Sequence, residues 1–150
     1  MPRSQRVLPL CYSSRSSSVK RNGDKLKRTG TQMYVYEVVV RLSQDFRRTC
    51  FFVDEDTFAK AHADGCYFQS SFTVVVEATS HTGAAEVVFE ICNSSDDEMH
   101  CAERYRPQVR AYRKAGNRSL SSGDVLEISD LDGSPHDGLY GCAMMGWERV

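Results

Sequence analysis

Hydrophobic positions begin to repeat at Met33. Tyr34, Tyr36, Val38 and Val40 fall on one side of a two-residue alternation, with Glu37 and Arg41 on the other, which predicts a strand. The apolar run from Cys50 to Val53 reads as a second, short strand. Asp54 to Ala63 reads as a helix with acids in its first turn, stopped by Asp64-Gly65. Ser71 to Ala78 is rich in β-branched residues and predicts a strand. Thr82 is placed to cap a helix over roughly Gly83 to Cys92, with Ala84, Val87, Val88 and Ile91 along one stripe. The polar run Asn93 to Glu98 breaks it.

Pro107 precedes Gln108 to Arg113, which reads as strand-like. Gly116-Asn117 marks a turn because both residues tolerate positive φ. Ser121 to Asp124 marks another and leads into a strand over Val125 to Ile128. Ser129 to Gly138 reads as a loop carrying three aspartates. Leu139 to Ala143 and Gly146 to Val150 complete an antiparallel set. The expected fold class is α+β: a small antiparallel sheet or partial barrel with about two helices, in one domain over residues 33–150.

Charge adds an asymmetry that the net value of -1 conceals. Residues 1–33 hold eight basic residues against one acid, a net of +7; the remainder holds eleven against nineteen, a net of -8. Residues 1–32 are Ser-, Arg- and Lys-rich without apolar periodicity, so a disordered basic leader is expected. Two readings of it stay open: an arm that contacts nucleic acid, or a segment upstream of a natural start at Met33. The apolar runs are too short for a membrane helix, and Val7 to Cys11 is too short for a signal-peptide core. A cytoplasmic protein without a membrane partner is therefore expected. Six cysteines, at 11, 50, 66, 92, 101 and 142, are expected as reduced thiols.

His62, Cys66, Cys92, His100 and Cys101 could supply a metal, but no C-x-x-C pair is present. A cysteine nucleophile would need His81 or His100 as its base, and nothing in the sequence specifies the pairing. Asp96, Asp97 and Glu98, and Asp130, Asp132 and Asp137, could bind a divalent cation. Asp132-Gly133 suits a solvated hairpin turn equally well. No phosphate loop, dinucleotide fingerprint or nucleophile elbow occurs. No catalytic residue, metal or cofactor is assigned, and the chain is read as non-enzymatic.

The densest candidate surface is Arg104 to Arg118, where Arg104, Arg106, Arg110, Arg113, Lys114 and Arg118 interleave with Tyr105 and Tyr112. Phosphates call for fixed cations and unpaired bases for aromatic faces. On a strand, Arg110, Tyr112 and Lys114 would share one face. The same pattern also describes a half-buried strand with a charged outer side. Gly116, Gly123 and Asp124 suit turns, and Trp147, beside Gly146, suits an anchor for the core or a groove. A turn does not need arginine, so Arg118 either pairs with Asp124 or binds a ligand.

The run Ala-Tyr-Arg-Lys-Ala-Gly-Asn-Arg-Ser-Leu-Ser-Ser-Gly-Asp-Val over 111–125, with Tyr140, Cys142-Ala143 and Gly146-Trp147-Glu148, resembles short actinobacterial proteins related to the YodL-like domain family. Ser122 stands where that family usually has an apolar residue, and the 129–138 loop is longer. The resemblance implies an intracellular protein of a plasmid, phage or integrative element, beside DNA-processing or anti-restriction modules. It carries over no catalytic residue. Two functions follow as expectations. The first is a binding module for DNA or RNA, with Arg110, Tyr112, Arg113, Lys114, Asn117 and Arg118 as its face. The second is an acidic adaptor or inhibitor for a protein of a nucleic-acid-processing system.

Overall fold

Strand β1 (Tyr34–Arg41) follows the alternation in the sequence: Tyr36, Val38 and Val40 are buried, while Val35 and Glu37 are exposed. In the computed structural model, which describes residues 32–45, 55–67 and 72–150, this strand sits inside a five-stranded antiparallel sheet. The remaining strands are β2 (Phe72–Ala78), β3 (Val125–Asp130), β4 (Gly138–Ala143) and β5 (Gly146–Arg149), in the spatial order β2-β1-β3-β4-β5. Val38 faces Val74 of β2 and Ile128 of β3, so three inward residues share one rung. The sheet is open, and among the described residues β2 and β5 are its edges. The expected basic leader and the expected strand Cys50 to Val53 lie outside the described residues.

One face of the sheet is covered by α2 (His81–Asn93) and α3 (Arg106–Lys114). Helix α2 buries Ala84, Ala85, Val88, Ile91 and Cys92, residues spaced three and four apart. Its cap is Ser80 rather than Thr82: the Ser80 side chain accepts from the Gly83 N–H at 3.1 Å, and the helix begins two residues earlier than expected. Each fully buried aliphatic or aromatic side chain of this layer contributes roughly 1.5–3 kcal/mol of burial. The remaining helix, α1 (Glu55–Ala63), ends at Gly65, whose φ of 71° lies in the left-handed region. Its Ala61 packs with Cys66, Tyr67 and Val125, and with partly buried Leu139 and Val150, in a second, smaller cluster.

The expected strand Gln108 to Arg113 is helix α3. Pro107 is tolerated in a first helical turn, where its missing N–H costs nothing. Val109 and Tyr112, three residues apart, are fully buried, whereas Ala111 is exposed; a two-residue alternation would have buried Val109 and Ala111 together. The described residues thus form three α-helices, where about two were expected. The loop expected from Ser129 begins later, because β3 continues to Asp130. No helix among the described residues is long and apolar enough to cross a membrane.

Candidate functional site

Helix α3 turns one cation of the 104–118 segment, Arg113, into the protein, whereas Arg104, Arg110, Lys114 and Arg118 remain exposed. Arg113 Nε donates to the Ser94 carbonyl at 2.9 Å, and its Nη2 donates to the Cys92 carbonyl at 2.7 Å. It thereby satisfies carbonyls at the C-terminus of α2 that no intrahelical donor reaches. A further bond, from Nη1 to the Asn117 carbonyl at 3.3 Å, ties α3 to the following turn. Arg110 Nε donates to Asp96 Oδ1 at 2.7 Å, and Arg106 forms a paired contact with Glu103. Those arginines hold the exposed Asp96 and Glu103 carboxyls below the ordinary range. Arg104 pairs with Glu77 at 3.0 Å and lies over the Tyr105 ring. Lys114 is exposed and makes no ion pair among the described residues.

Tyr112 corrects the expected stacking face: its residue exposure is 0%, so it offers no ring to a base. Its hydroxyl donates to the Arg118 carbonyl at 2.7 Å, and its ring meets Phe72 edge-on at 5.3 Å. Burial pushes the phenol far above its ordinary value, and the same packing pushes the Cys92 thiol up to about 12.

Arg118 pairs with Asp124, one of the two readings that the sequence left open. Its two terminal nitrogens each donate to one carboxylate oxygen at 2.7 Å, and Nη2 also donates to the Ser43 carbonyl at 3.1 Å. Asp124 is completely buried and accepts two backbone N–H groups, from Ser43 at 2.8 Å and Ser121 at 2.9 Å. The hydrogen bonds to Asp124 hold the Arg118 guanidinium above its usual value. This clamp joins the end of β1 to the start of β3. Gly116 and Gly123 take φ of 77° and 92° in the turns around it, and the Asn117 Nδ2 is buried without a hydrogen-bond partner. Of the six expected contact residues, Tyr112 is buried and Arg113 and Arg118 are engaged with backbone and carboxylate; Arg110, Lys114 and Arg118 are exposed.

The residues considered for a metal are dispersed. Cys66 belongs to the α1 cluster, Cys92 to the main core, and His100 lies 3.7 Å from Glu98. Among the described residues no group of three His, Cys, Asp or Glu side chains stands close enough to hold an ion. Asp130 and Asp137 accept backbone N–H groups within their own turn, from Asp132 at 2.9 Å and Ser134 at 3.1 Å.

Two concave features were not anticipated as sites. A groove of about 360 Å³ runs between α2 and the β4–β5 hairpin, walled by Phe89, Leu120, Cys142, Met144 and Trp147, with Glu86 at its rim. Trp147 lies opposite Cys142 in the β5 ladder and meets Phe89 edge-on at 6.4 Å. Gly146, at φ 89°, makes the tight hairpin that puts Met144 and Met145 into solvent at 78% and 93% exposure. The lone tryptophan was the only signal for this groove.

At the opposite end of β3, His81 Nε2 donates to Asp137 Oδ1 at 2.8 Å. Burial opposes the Asp137 charge, yet the bonds from His81 and from the Asp130 and Ser134 N–H groups keep its carboxyl below the ordinary range. Tyr36, Tyr140 and His136 surround the imidazole, with ring centroids 4.8, 6.0 and 6.0 Å away. No sequence signal marks this pair, whose members are 56 residues apart.

No protein-family model, curated protein or solved structure matches this chain.

Proposed function

We propose that this protein is a non-enzymatic interaction module that docks an apolar side chain of a basic protein segment into the Phe89–Trp147 groove. The observation that carries the reading is a contrast of surfaces. The arginines of 104–118 pair with carbonyls and carboxylates of their own chain, while an apolar groove with the single tryptophan stays open beside edge strand β5. An open strand edge accepts an extended peptide, and a neighbouring pocket then selects its side chains. Tryptophan is enriched among interface anchors, and methionine at adaptable binding surfaces. Glu86 at the rim and the net charge of -8 over residues 34–150 favour a cationic segment.

A display library of random twelve-residue peptides tests this on the full chain. Selected peptides should share an aromatic or aliphatic anchor flanked by Lys or Arg, and each should shift the emission of Trp147. Trp147→Ala should weaken binding at least tenfold, as expected for an interface anchor, with an unchanged fold by circular dichroism. Selection without any such consensus, or peptides that bind Trp147→Ala equally well, would remove the groove from the function.

A second reading keeps DNA or RNA as the partner, favoured by the exposed Arg110 and Lys114 one helical turn apart on α3. It predicts that Lys114→Glu reduces nucleic-acid affinity and its salt dependence together, as read by fluorescence anisotropy.

A further inference from the structure

The cleft beside His81 has a composition distinct from the groove. Tyr34, Tyr36, His81 and His136 supply ring walls, and Thr79, Ser80 and Ser134 supply hydroxyls, around a space of about 270 Å³. The Tyr34 and Tyr36 rings lie 6.5 Å apart and are tilted by 59°, so their faces do not close on each other. Tyr36 meets His81 edge-on, and His136 stands beyond it, exposed at the mouth. Among the described residues no lysine or arginine lines the space. Two carboxylates stand behind it. Asp137 is held in place by His81 and by two backbone N–H groups, and the negative charge of both Asp130 and Asp137 is felt at the Tyr36 hydroxyl.

Electron-rich ring faces backed by carboxylates attract an organic cation and disfavour an anion. The start of α2 would otherwise draw negative charge, but its first free donors are already used. Ser80 Oγ takes the Gly83 N–H at 3.1 Å, and the Ser80 carbonyl takes the Ala84 N–H at 2.9 Å. The other charged or titratable groups against the cleft are Tyr140, stacked on His81, and Arg149 of β5. The Arg149 guanidinium is turned to the Pro135 and Asp137 carbonyls at 3.3 and 3.1 Å.

The geometry points to this cleft as the seat of an arginine or lysine side chain from the partner, with Tyr34 and His136 as its accessible walls and Asp130 and Asp137 as its counter-charge. This rests on the reading of the protein as a module for a basic partner and gives that reading a second contact, on the same side of the sheet as the groove but at the far end of α2's span. An anchor in one site and a cation in the other would fix the direction of the bound segment.

The test uses small probes, so that it does not depend on the groove. N-acetyl-arginine amide is titrated into the full chain and followed by the imidazole and tyrosine ring signals in proton NMR. N-acetyl-citrulline amide, the neutral isostere, is the control. The expected result is saturable movement of the His81, His136 and Tyr34 signals with the cation and none with the isostere. Tyr34→Leu should weaken the cation roughly tenfold, within the range of one aromatic face. Trp147→Ala should leave it unchanged. Equal responses to both probes, or none to either, would overturn the assignment. Cation binding that survives while no anchored peptide is found would place the failure in the groove reading alone.

Discussion

The two ends of strand β3 are closed by the same device, a side-chain donor on an aspartate, built from different donors. At its start, Arg118 forms a doubly hydrogen-bonded pair with Asp124, and the carboxylate is wholly buried. Near its end, His81 makes a single bond to Asp137, whose side chain is 28% exposed. Guanidinium stays charged at every accessible pH and matches both carboxylate oxygens at once. Imidazole offers one donor to the pair. The first end is a clamp whose carboxylate is wholly shielded from water. The second leaves a cleft with rings and hydroxyls facing outward. The difference teaches where variation is tolerated: the Asp124 end is committed to holding the chain together, and the Asp137 end has surface left to recognise something.

Breaking the Arg118–Asp124 clamp should cost most. Asp124→Ala leaves the Ser43 and Ser121 N–H groups and the part-exposed Arg118 without their buried acceptor, and should lower stability by about 2–3 kcal/mol in urea unfolding, as loss of a buried charged hydrogen-bond acceptor does. A loss below about 1 kcal/mol would mean that water replaces the carboxylate. Arg113→Glu comes next. It removes the donors that satisfy Cys92 and Ser94 and should cost about 1–3 kcal/mol, whereas Lys114→Glu should stay within about 0.5 kcal/mol. Equal effects at the two positions would contradict the division of α3 into an inward and an outward charge. Tyr112→Phe deletes the hydroxyl on the Arg118 carbonyl and should cost about 1 kcal/mol, with no change in any nucleic-acid affinity.

The smallest effect sharpens the comparison through pH. The folded Asp137 carboxyl lies below its ordinary value, so the unfolded chain binds a proton there first on acidification. Its contribution is complete above the ordinary carboxylate pKa of about 3.9 and is lost as pH falls through the lower folded value. Asp137→Asn should therefore flatten the acid limb of the stability curve below about pH 4 and leave the neutral plateau nearly level. A variant with the parental acid limb would show that other carboxylates carry it.

Much of the sheet was legible because its signal is local. The Tyr36-Val38-Val40 alternation needs only the two-residue pleat, and the turns at Gly116 and Gly123 need only a residue that accepts positive φ. Arg118 and Asp124 are six residues apart across one turn, so their pairing could be raised from the sequence. Helix α3 was missed because Val109 and Tyr112 are the only buried residues in its nine, and Arg110, Tyr112 and Lys114 imitate an alternating strand face. The Ser80 cap was missed because Thr82 offers the same chemistry two residues later.

By itself the sequence determined the α+β class, the inward faces of β1 and α2, and the turn positions. Each of these follows from a periodicity or a backbone preference that neighbouring residues carry. Only the tertiary structure decided what the charged and aromatic residues are for. Packing turned Tyr112 into core and Arg113 into a cap for α2, brought Phe89 to Trp147, and set His81 against Asp137. Those outcomes depend on which surfaces meet when distant segments are brought together, and a side chain's chemistry is the same before that meeting whether it ends in the core or at a site.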